Sequence, residues 1–433
     1  MLYVRQLKEK PSQTRIDQLI NVALQQEIFA YFESNDTKTK WIGVGSTSRI
    51  YPDKSNDRIQ EVDDWYQKLK KQFPSKIDLN DIAILGGFSF DQRSGHGMWG
   101  PWSSGIFILP RIIIKITDQK IIITEIKAHQ FSEQSLADTL DEMVLMAHNK
   151  QDLTDFSIED LDENWDQQVD DLAMTIRKSN ILKKVVLGRY KQGKIDGGFD
   201  PVAAISALRK FDQTTYHFII KIKDQTFISA TPERLFMLNG NDFSTAAVAG
   251  TIGRGQNELA DNKLALQLFN DAKNRSEHQI VVQEITQRMK NFTSDMSFDK
   301  TPMIIKNLTV QHLYTPITAK IDDQTNVFQL LKYMHPTPAL GGLPTNEAIK
   351  IIQEMEARAR VLFGAPIGYI TFSGDSEMIV GIRSMYLRLD QFLMFAGAGI
   401  MPDSVGTEEF KETELKFKPM IKLLEYLKGQ TNE

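Results

Sequence analysis

Phe395-Ala-Gly-Ala-Gly-Ile-Met-Pro-Asp-Ser404 runs directly into Val405-Gly-Thr-Glu-Glu409-Phe-Lys-Glu412-Thr-Glu-Leu-Lys416. The first half reads as a glycine-rich turn after a short β-type run at 391–395, and the second as a helix with acidic first turns. Gly397 and Gly399 have no side chains, so a ligand can approach the backbone and take its N–H groups. Ser404 or Thr407 is placed to cap the helix. Glu409, Glu412 and Lys416 follow a three-and-four spacing that puts them on one face, while Phe410, Phe417, Ile421 and Leu424 form a separate apolar row. Two carboxylates beside bare amides suit a hard metal ion bound together with an anionic ligand. The same spacing also describes a solvated face with a Glu–Lys pair, and the stretch alone leaves both readings open. Pro419 removes one helical hydrogen bond just past Lys416 and predicts a kink or restart there.

The 433 residues allow two or three domains or one large α/β unit. With 41% hydrophobic and 25% charged residues, the composition is that of a soluble globular protein. A formal net charge of −5 without a basic block argues against a nucleic-acid partner. The chain has no cysteine, which excludes disulfides, thiolate metal sites and cysteine nucleophiles. The opening residues carry no signal-peptide pattern, and the most apolar run, 105–116, is broken by Pro110, Arg111 and Lys115 and is too short to span a bilayer. A cytoplasmic protein without membrane contact is the expectation.

Periodicity gives an amphipathic helix over 13–30, strands at 28–32 and 41–45, and a helix near 61–73. Strands follow at 82–90, 105–109, 111–116 and 120–126, with His96 in a glycine-rich turn that offers it no ligand-spaced partner. Residues 131–180 read as an acidic linker followed by a solvated helix. Beyond them the pattern predicts strands at 182–187, 216–223, 225–230 and 234–238, a helix near 201–210 and one long helix over 257–291. Strands at 302–309, 311–319, 364–372, 378–387 and 391–395, with helices at 326–333 and 345–355, complete the series. Such hairpin-like pairs among helices imply an α+β or α/β sandwich with a mostly antiparallel sheet.

Several residues stand out as candidates for chemistry. Lys183 and Lys184 alternate along a strand, so one of them points inward, and a desolvated lysine can serve as a general base. An edge-strand lysine that snorkels to water fits the same pattern. Glu233, behind Pro232 between two strand-like runs, could be a carboxyl of raised pKa acting as an acid, or the partner of Arg234. Glu277 sits among polar residues of the long helix and could join Glu409 and Glu412 in an all-oxygen Mg²⁺ site, although Lys273–Glu277 is also an ordinary i,i+4 pair. Ala249-Gly-Thr-Ile-Gly-Arg-Gly255 is a second glycine-rich turn, without the end of a phosphate-binding loop. Arg383, inside a strand, is suited to a bidentate grip on a carboxylate. Together these give an enzyme for a small carboxylated substrate.

Lys184-Val-Val-Leu-Gly-Arg189, Ala230-Thr-Pro-Glu-Arg234, Ala249-Gly-Thr251, the 273–278 segment, His312-Leu-Tyr-Thr-Pro316, His335-Pro-Thr-Pro-Ala-Leu-Gly-Gly342, the 360–368 segment, Gly374-Asp-Ser-Glu377 with Arg383, and the 396–416 segment are nine blocks in one order. In these blocks the C-terminal part resembles the chorismate-binding family, and within it the isochorismate synthases of the menaquinone or siderophore type. The resemblance implies a single α/β (α+β) chorismate-binding fold of two facing, mainly antiparallel sheets surrounded by helices. Residues 1–150 would be its variable N-terminal part and 151–433 its catalytic part. It further implies Mg²⁺ and chorismate, with Lys184 as the base that activates water for attack at C2. Glu233 would then protonate the departing 4-hydroxyl. Glu277 and Glu412 match metal ligands, with Glu409 reached through water. Arg383, the amides of Gly397 and Gly399, and Lys416 match groups around the enolpyruvyl carboxylate, and Gly250, Thr251, His312 and Phe363 match the pocket lining. Aminating relatives lack the lysine, and pyruvate-releasing relatives usually carry threonine where this chain has Ala339, so isochorismate is the implied product. Salicylate synthase, an aminating synthase and a non-catalytic binding protein are the alternatives. A monomer without a glutamine-amidotransferase subunit is implied. Asn274 departs from the acidic residue that relatives often carry there.

Overall fold

The computed structural model describes residues 2–53, 57–91, 93, 97–131, 135–145, 152–211, 214–293, 295–306 and 310–429. Their strands form a 12-stranded and a 10-stranded sheet in which every pairing between named strands is antiparallel, with helices packed around them. Two facing, mainly antiparallel sheets are therefore observed as expected. Strands from both ends of the chain share each sheet: in the larger one Ile28–Glu33 pairs with Tyr216–Ile222, and in the smaller one Ala83–Phe88 pairs with Pro366–Thr371.

Strict alternation explains why many strands read as unbroken apolar runs. In Ile28–Glu33, Ala30 and Phe32 belong to the core between the sheets, whereas Phe29 and Tyr31 belong to a second core under the helices. Phe218 and Ile220 face the first core and Ile219 the second. A sheet covered on both faces leaves no position for a polar side chain to escape to water. The second core is closed by helices Gln13–Leu24, Pro201–Phe211 and Gly406–Gly429. Among the described residues no helix is long and apolar enough to cross a membrane.

The structure corrects several local expectations. Residues in the acidic 131–180 region include an edge strand, Leu153–Asp160, paired with Lys184–Gly197. The buried cations Arg189 and Lys191 on that neighbour both engage Asp160, which a purely local reading of the charge run could not reveal. The helix expected over 257–291 is two, Glu258–Asn270 and Ala272–Met289, divided at Asp271, whose carboxylate accepts the Asn274 N–H at 2.7 Å. The first helix of the chain stops at Leu24 rather than 30. Residues 249–255 are no free turn: most lie in the strand Asp242–Gly253, bulged between Ala249 and Thr251. Gly397 and Gly399 likewise lie inside the strand Gln391–Ile400. The strand expected at 378–387 is two strands of different sheets, Ser376–Val380 and Ser384–Arg388. His96 and parts of the 131–152 link lie outside the described residues.

The C-terminal helix, Gly406–Gly429, runs unbroken through Pro419. The carbonyl left without its donor belongs to Leu415, a residue 39% exposed, so water can take the lost bond. Neither Ser404 nor Thr407 caps this helix in the expected way. Ser404 Oγ accepts from Met401 N–H, and the first helical N–H, of Gly406, goes to Asp170 Oδ1 at 2.7 Å from the helix Trp165–Lys178. A cap lent by another helix fixes the two helices against each other. Asp170→Ala is expected to cost about 1 kcal/mol and to lower the melting midpoint by about 1–2 °C in a chain of this size. Asp170→Asn, which keeps the acceptor, should restore most of it; equal midpoints for wild type and Asp170→Ala in circular-dichroism melts would remove the cap from this role.

Candidate active site

The site forms where the chain twice changes sheets. After Gln225–Thr231 it crosses through Pro232-Glu233 into Arg234–Asn239 of the smaller sheet, and after Ser376–Val380 it returns through Gly381–Arg383. The crossovers bond to each other: Val380 N–H donates to Glu233 C=O at 3.0 Å, and Ala230 N–H to Arg383 C=O at 3.1 Å. Ser229 Oγ adds a bond to Ile382 C=O at 2.7 Å. Arg383 is thus no mid-strand residue; it takes a left-handed φ of 48°, rare outside glycine.

Beside the crossovers lies a cavity of about 150 Å³. Lys184, Glu233, Gly250, Thr251, Glu277, His312, Ala339, Arg383, Gly397, Gly399, Glu412 and Lys416 all line it. Of the site residues that the resemblance implies, Phe363 and Glu409 are not part of the lining. Phe363 is buried and stacks on Phe395, a lining residue, at 5.6 Å.

Lys184 opens the strand Lys184–Gly197 and is 5% exposed, while Lys183 faces solvent, so alternation turns the first of the two inward. Its ammonium reaches Glu277 Oε1 at 2.5 Å. Gly399 has a different purpose from the one its composition suggests. A Cβ there would meet Lys184 Cε at 2.5 Å and Nζ at 3.0 Å, so the missing side chain is the channel through which the lysine crosses the neighbouring strand.

The amides of Gly397 and Gly399 are nevertheless turned to the cavity. Opposite them, Gly188 and Val186 send their N–H groups to Glu356 Oε1 at 2.7 Å and to Gly341 C=O at 3.0 Å, away from this strand. In an antiparallel ladder such a pair turns both backbones outward. On the outer side pairing with Ser384–Arg388 ends at Phe395, and there Lys416 Nζ donates to Gly397 C=O at 2.8 Å.

The charges are arranged in pairs. Glu412 holds Lys416 at 2.6 Å, and this lysine keeps the Glu412 carboxyl below its ordinary range. Burial pushes the Glu233 carboxyl up to about 7, against the opposing pull of Arg383, Lys184 and Lys416. It has no pair with Arg234, which reaches Glu377 at 3.5 Å instead. Burial also lowers Arg383 to about 10, which leaves it a cation at neutral pH. His312 is pushed down to about 4 by burial and the cations Arg383 and Lys416, so it is neutral and shares a 3.0 Å bond with Thr251 Oγ1 across the strands. Burial and the charge of Glu412 raise Glu409. Gly250, at φ 76°, forms the bulge over which Asn274 packs, and Asn274 Nδ2 bonds to Asp271 at 2.7 Å.

No group of three His, Asp or Glu side chains among the described residues stands at metal-binding distances. Glu277 and Glu412 nonetheless line one cavity, with Glu409 one helical turn from Glu412, and in this structure Lys184 and Lys416 take the place of a cation beside these two carboxylates. An all-carboxylate donor set whose charge needs a cation fits a hard divalent ion.

Sequence reasoning missed Arg360, which also lines the cavity. Buried against Glu356, it donates to Leu340 C=O at 2.9 Å and Val186 C=O at 2.7 Å, tying the Ala339 segment to the lysine strand. Its signal was the Glu356–Arg360 spacing in a flank of apolar residues, which locally reads as a solvated pair.

One cavity in this two-sheet sandwich is thus lined by a buried lysine paired with a glutamate, a carboxyl of raised pKa, a buried arginine and a second glutamate–lysine pair. The chain belongs to the chorismate-binding enzyme family, whose pattern matches residues 5–425. It is 31% identical to the isochorismate synthase MenF of Bacillus subtilis over 411 residues, covering 91% of this chain and 87% of that protein. With the salicylate biosynthesis isochorismate synthase of Pseudomonas aeruginosa it shares 34% identity over 265 residues, 61% of this chain and 55% of the relative. The fold matches that of MenF, the menaquinone-specific isochorismate synthase from Escherichia coli, with a TM-score of 0.79 over 98% of this chain and 95% of that one, at 23% identity.

In metal-free protein, infrared difference spectra of wild type minus Glu233→Gln are expected to show a carboxyl titrating near pH 7. Because Arg383 favours the ionised form, Arg383→Met should move that midpoint higher. A midpoint in the ordinary glutamate range would show that burial does not dominate at Glu233.

Proposed function

We propose that this chain converts chorismate into isochorismate, with Lys184 as general base and Glu233 as general acid. The observation that carries this reading is that a buried lysine and a carboxyl of raised pKa line one cavity also equipped to hold an anion. Released from Glu277 as the neutral amine, Lys184 removes a proton from water as its oxygen bonds to C2 of the ring. The two ring double bonds shift by one position each, and the C4–O bond breaks. Glu233 delivers its proton to the departing oxygen, so one water enters and one leaves. A carboxyl with a pKa near 7 is half protonated at neutral pH, a favourable setting for an acid that must be recharged each cycle.

Arg383, the amides of Gly397 and Gly399, and Lys416 hold the enolpyruvyl carboxylate, and Thr251 with neutral His312 offers hydrogen bonds without adding charge. Glu277 and Glu412 would hold Mg²⁺, with Glu409 acting through water. When bound, the ion neutralises and orients the ring carboxylate. Lys184 favours water over ammonia as the nucleophile, and Ala339 in the cavity wall favours release of isochorismate without loss of pyruvate. The near full-length likeness to an isochorismate synthase supports the same reading. The chain acts as a monomer and without an amidotransferase subunit.

Incubation with chorismate and Mg²⁺, followed by NMR, should show isochorismate with no pyruvate in a coupled assay. Pyruvate release without added lyase, or no turnover, would overturn the reading. Lys184→Ala is expected to lower turnover by about 10²–10⁴-fold while calorimetry still detects chorismate; turnover close to wild type would remove Lys184 from the role of base.

A further inference from the structure

The strand that begins at Lys184 passes a second cleft further along its length. This cleft, of about 570 Å³, is lined by Arg93, Trp99, Tyr190, Gln192, Arg358 and Leu393 among others, and none of its described lining residues lines the active cavity. Two buried polar groups in its lining have no hydrogen-bond partner among the described residues: the hydroxyl of Tyr190, a residue 2% exposed, and Nη2 of Arg93.

Both side chains are otherwise fixed in place. Arg93 donates through Nε to Asp91 Oδ2 at 2.9 Å and through Nη1 to Glu356 C=O at 2.8 Å, while Nη2 stays 3.7 Å from Glu356 Oε2, beyond hydrogen-bond reach. The Tyr190 N–H goes to Asp162 Oδ2 at 2.7 Å, and the ring lies edge-on to Phe395 at 5.4 Å. Burial pushes the Tyr190 phenol up, so it keeps its proton and can donate. Native structures seldom leave buried polar groups unpaired, and a guanidinium N–H and a phenol O–H can both be satisfied by an acceptor.

The acids around the cleft are already engaged: Asp91 by Arg93, Asp162 by the Tyr190 amide, and Glu356 by Arg360 at 2.9 Å and the Gly188 amide at 2.7 Å. Arg358 lies exposed at the rim and adds positive charge. Trp99, stacked on Tyr386 at 4.0 Å, gives a rigid flat wall, and Leu393 adds to the apolar lining. The volume lies in the range of small-molecule sites.

We propose that this cleft is a second ligand site, built for a small planar carboxylate. The ligand's ring lies against Trp99, its oxygens accept from Tyr190 and Arg93, and Arg358 supplies the countercharge. The site stands behind the aromatic wall of the active cavity, since Phe395 touches Tyr190 on one side and lines that cavity on the other.

Benzoate is the probe, titrated into the metal-free full-length protein by calorimetry. Arg383→Ala removes the guanidinium of the active cavity and should leave benzoate affinity within about twofold, whereas Tyr190→Phe and Arg358→Ala should each weaken it by about fivefold or more. Circular-dichroism spectra identify any variant that has failed to fold, and Tyr190→Phe deletes only one oxygen. Absence of benzoate binding to wild type overturns the proposal. So does binding that is indifferent to both Tyr190→Phe and Arg358→Ala, or that disappears with Arg383→Ala, because the probe then occupies the active cavity. These outcomes do not depend on whether chorismate is turned over.

Discussion

The backbone bonds between the two sheet crossovers, Val380 to Glu233 and Ala230 to Arg383, are the constraint on which the site depends. A chain that leaves one sheet for another must interrupt both ladders, and the freed peptide groups need partners in the interior. Here each interruption satisfies the other. The acid and the arginine sit on the two interrupted segments, so their relative position is set by main-chain geometry rather than by flexible side chains. The left-handed backbone of Arg383 costs about 1–2 kcal/mol, and it persists because the surrounding bonds leave the segment no relaxed alternative.

Around that junction the charges divide by partnership. Lys184 and Lys416 are each matched at short range by Glu277 and Glu412, whereas Glu233 has no ion pair of its own in the described structure. Desolvation therefore exceeds the more distant attraction of the cations at Glu233, and its carboxyl is raised; at Glu412 the adjacent lysine wins and the carboxyl is lowered. Carboxylates in one cavity acquire different protonation states without any difference in chemical identity. Removing Glu277 would leave the buried Lys184 ammonium uncompensated, which is why pair formation itself shapes the site.

Much of the secondary structure could be read locally. Strands such as Tyr216–Ile222 and Gln225–Thr231, and helices such as Val327–Met334, follow from continuous apolar runs or from amphipathic spacing. Failures occurred where a distant partner decided the conformation. Leu153–Asp160 looks like solvated acidic chain until Arg189 and Lys191 lie beside it. The 249–253 and 397–399 glycines look like turns, yet ladder partners hold both in strands. Arg360 looks like a surface cation until Glu356 and two carbonyls enclose it.

The sequence by itself determined the alphabet of the site: an inward lysine beside an outward one, Glu233 behind its proline, and carboxylates on one helix face ending in Lys416. It determined these because alternation along strands and three-to-four spacing along helices are local geometry. Only the tertiary structure decided which of these residues meet, since Lys184 and Glu277 are 93 positions apart and pair only when a helix packs across the sheet. It also decided their protonation, because burial and partner distance are not sequence properties. The acidic stretch after Gly397 and Gly399 was ambiguous alone for that reason; folding placed Glu412 in the cavity and made Gly399 the opening through which Lys184 reaches it.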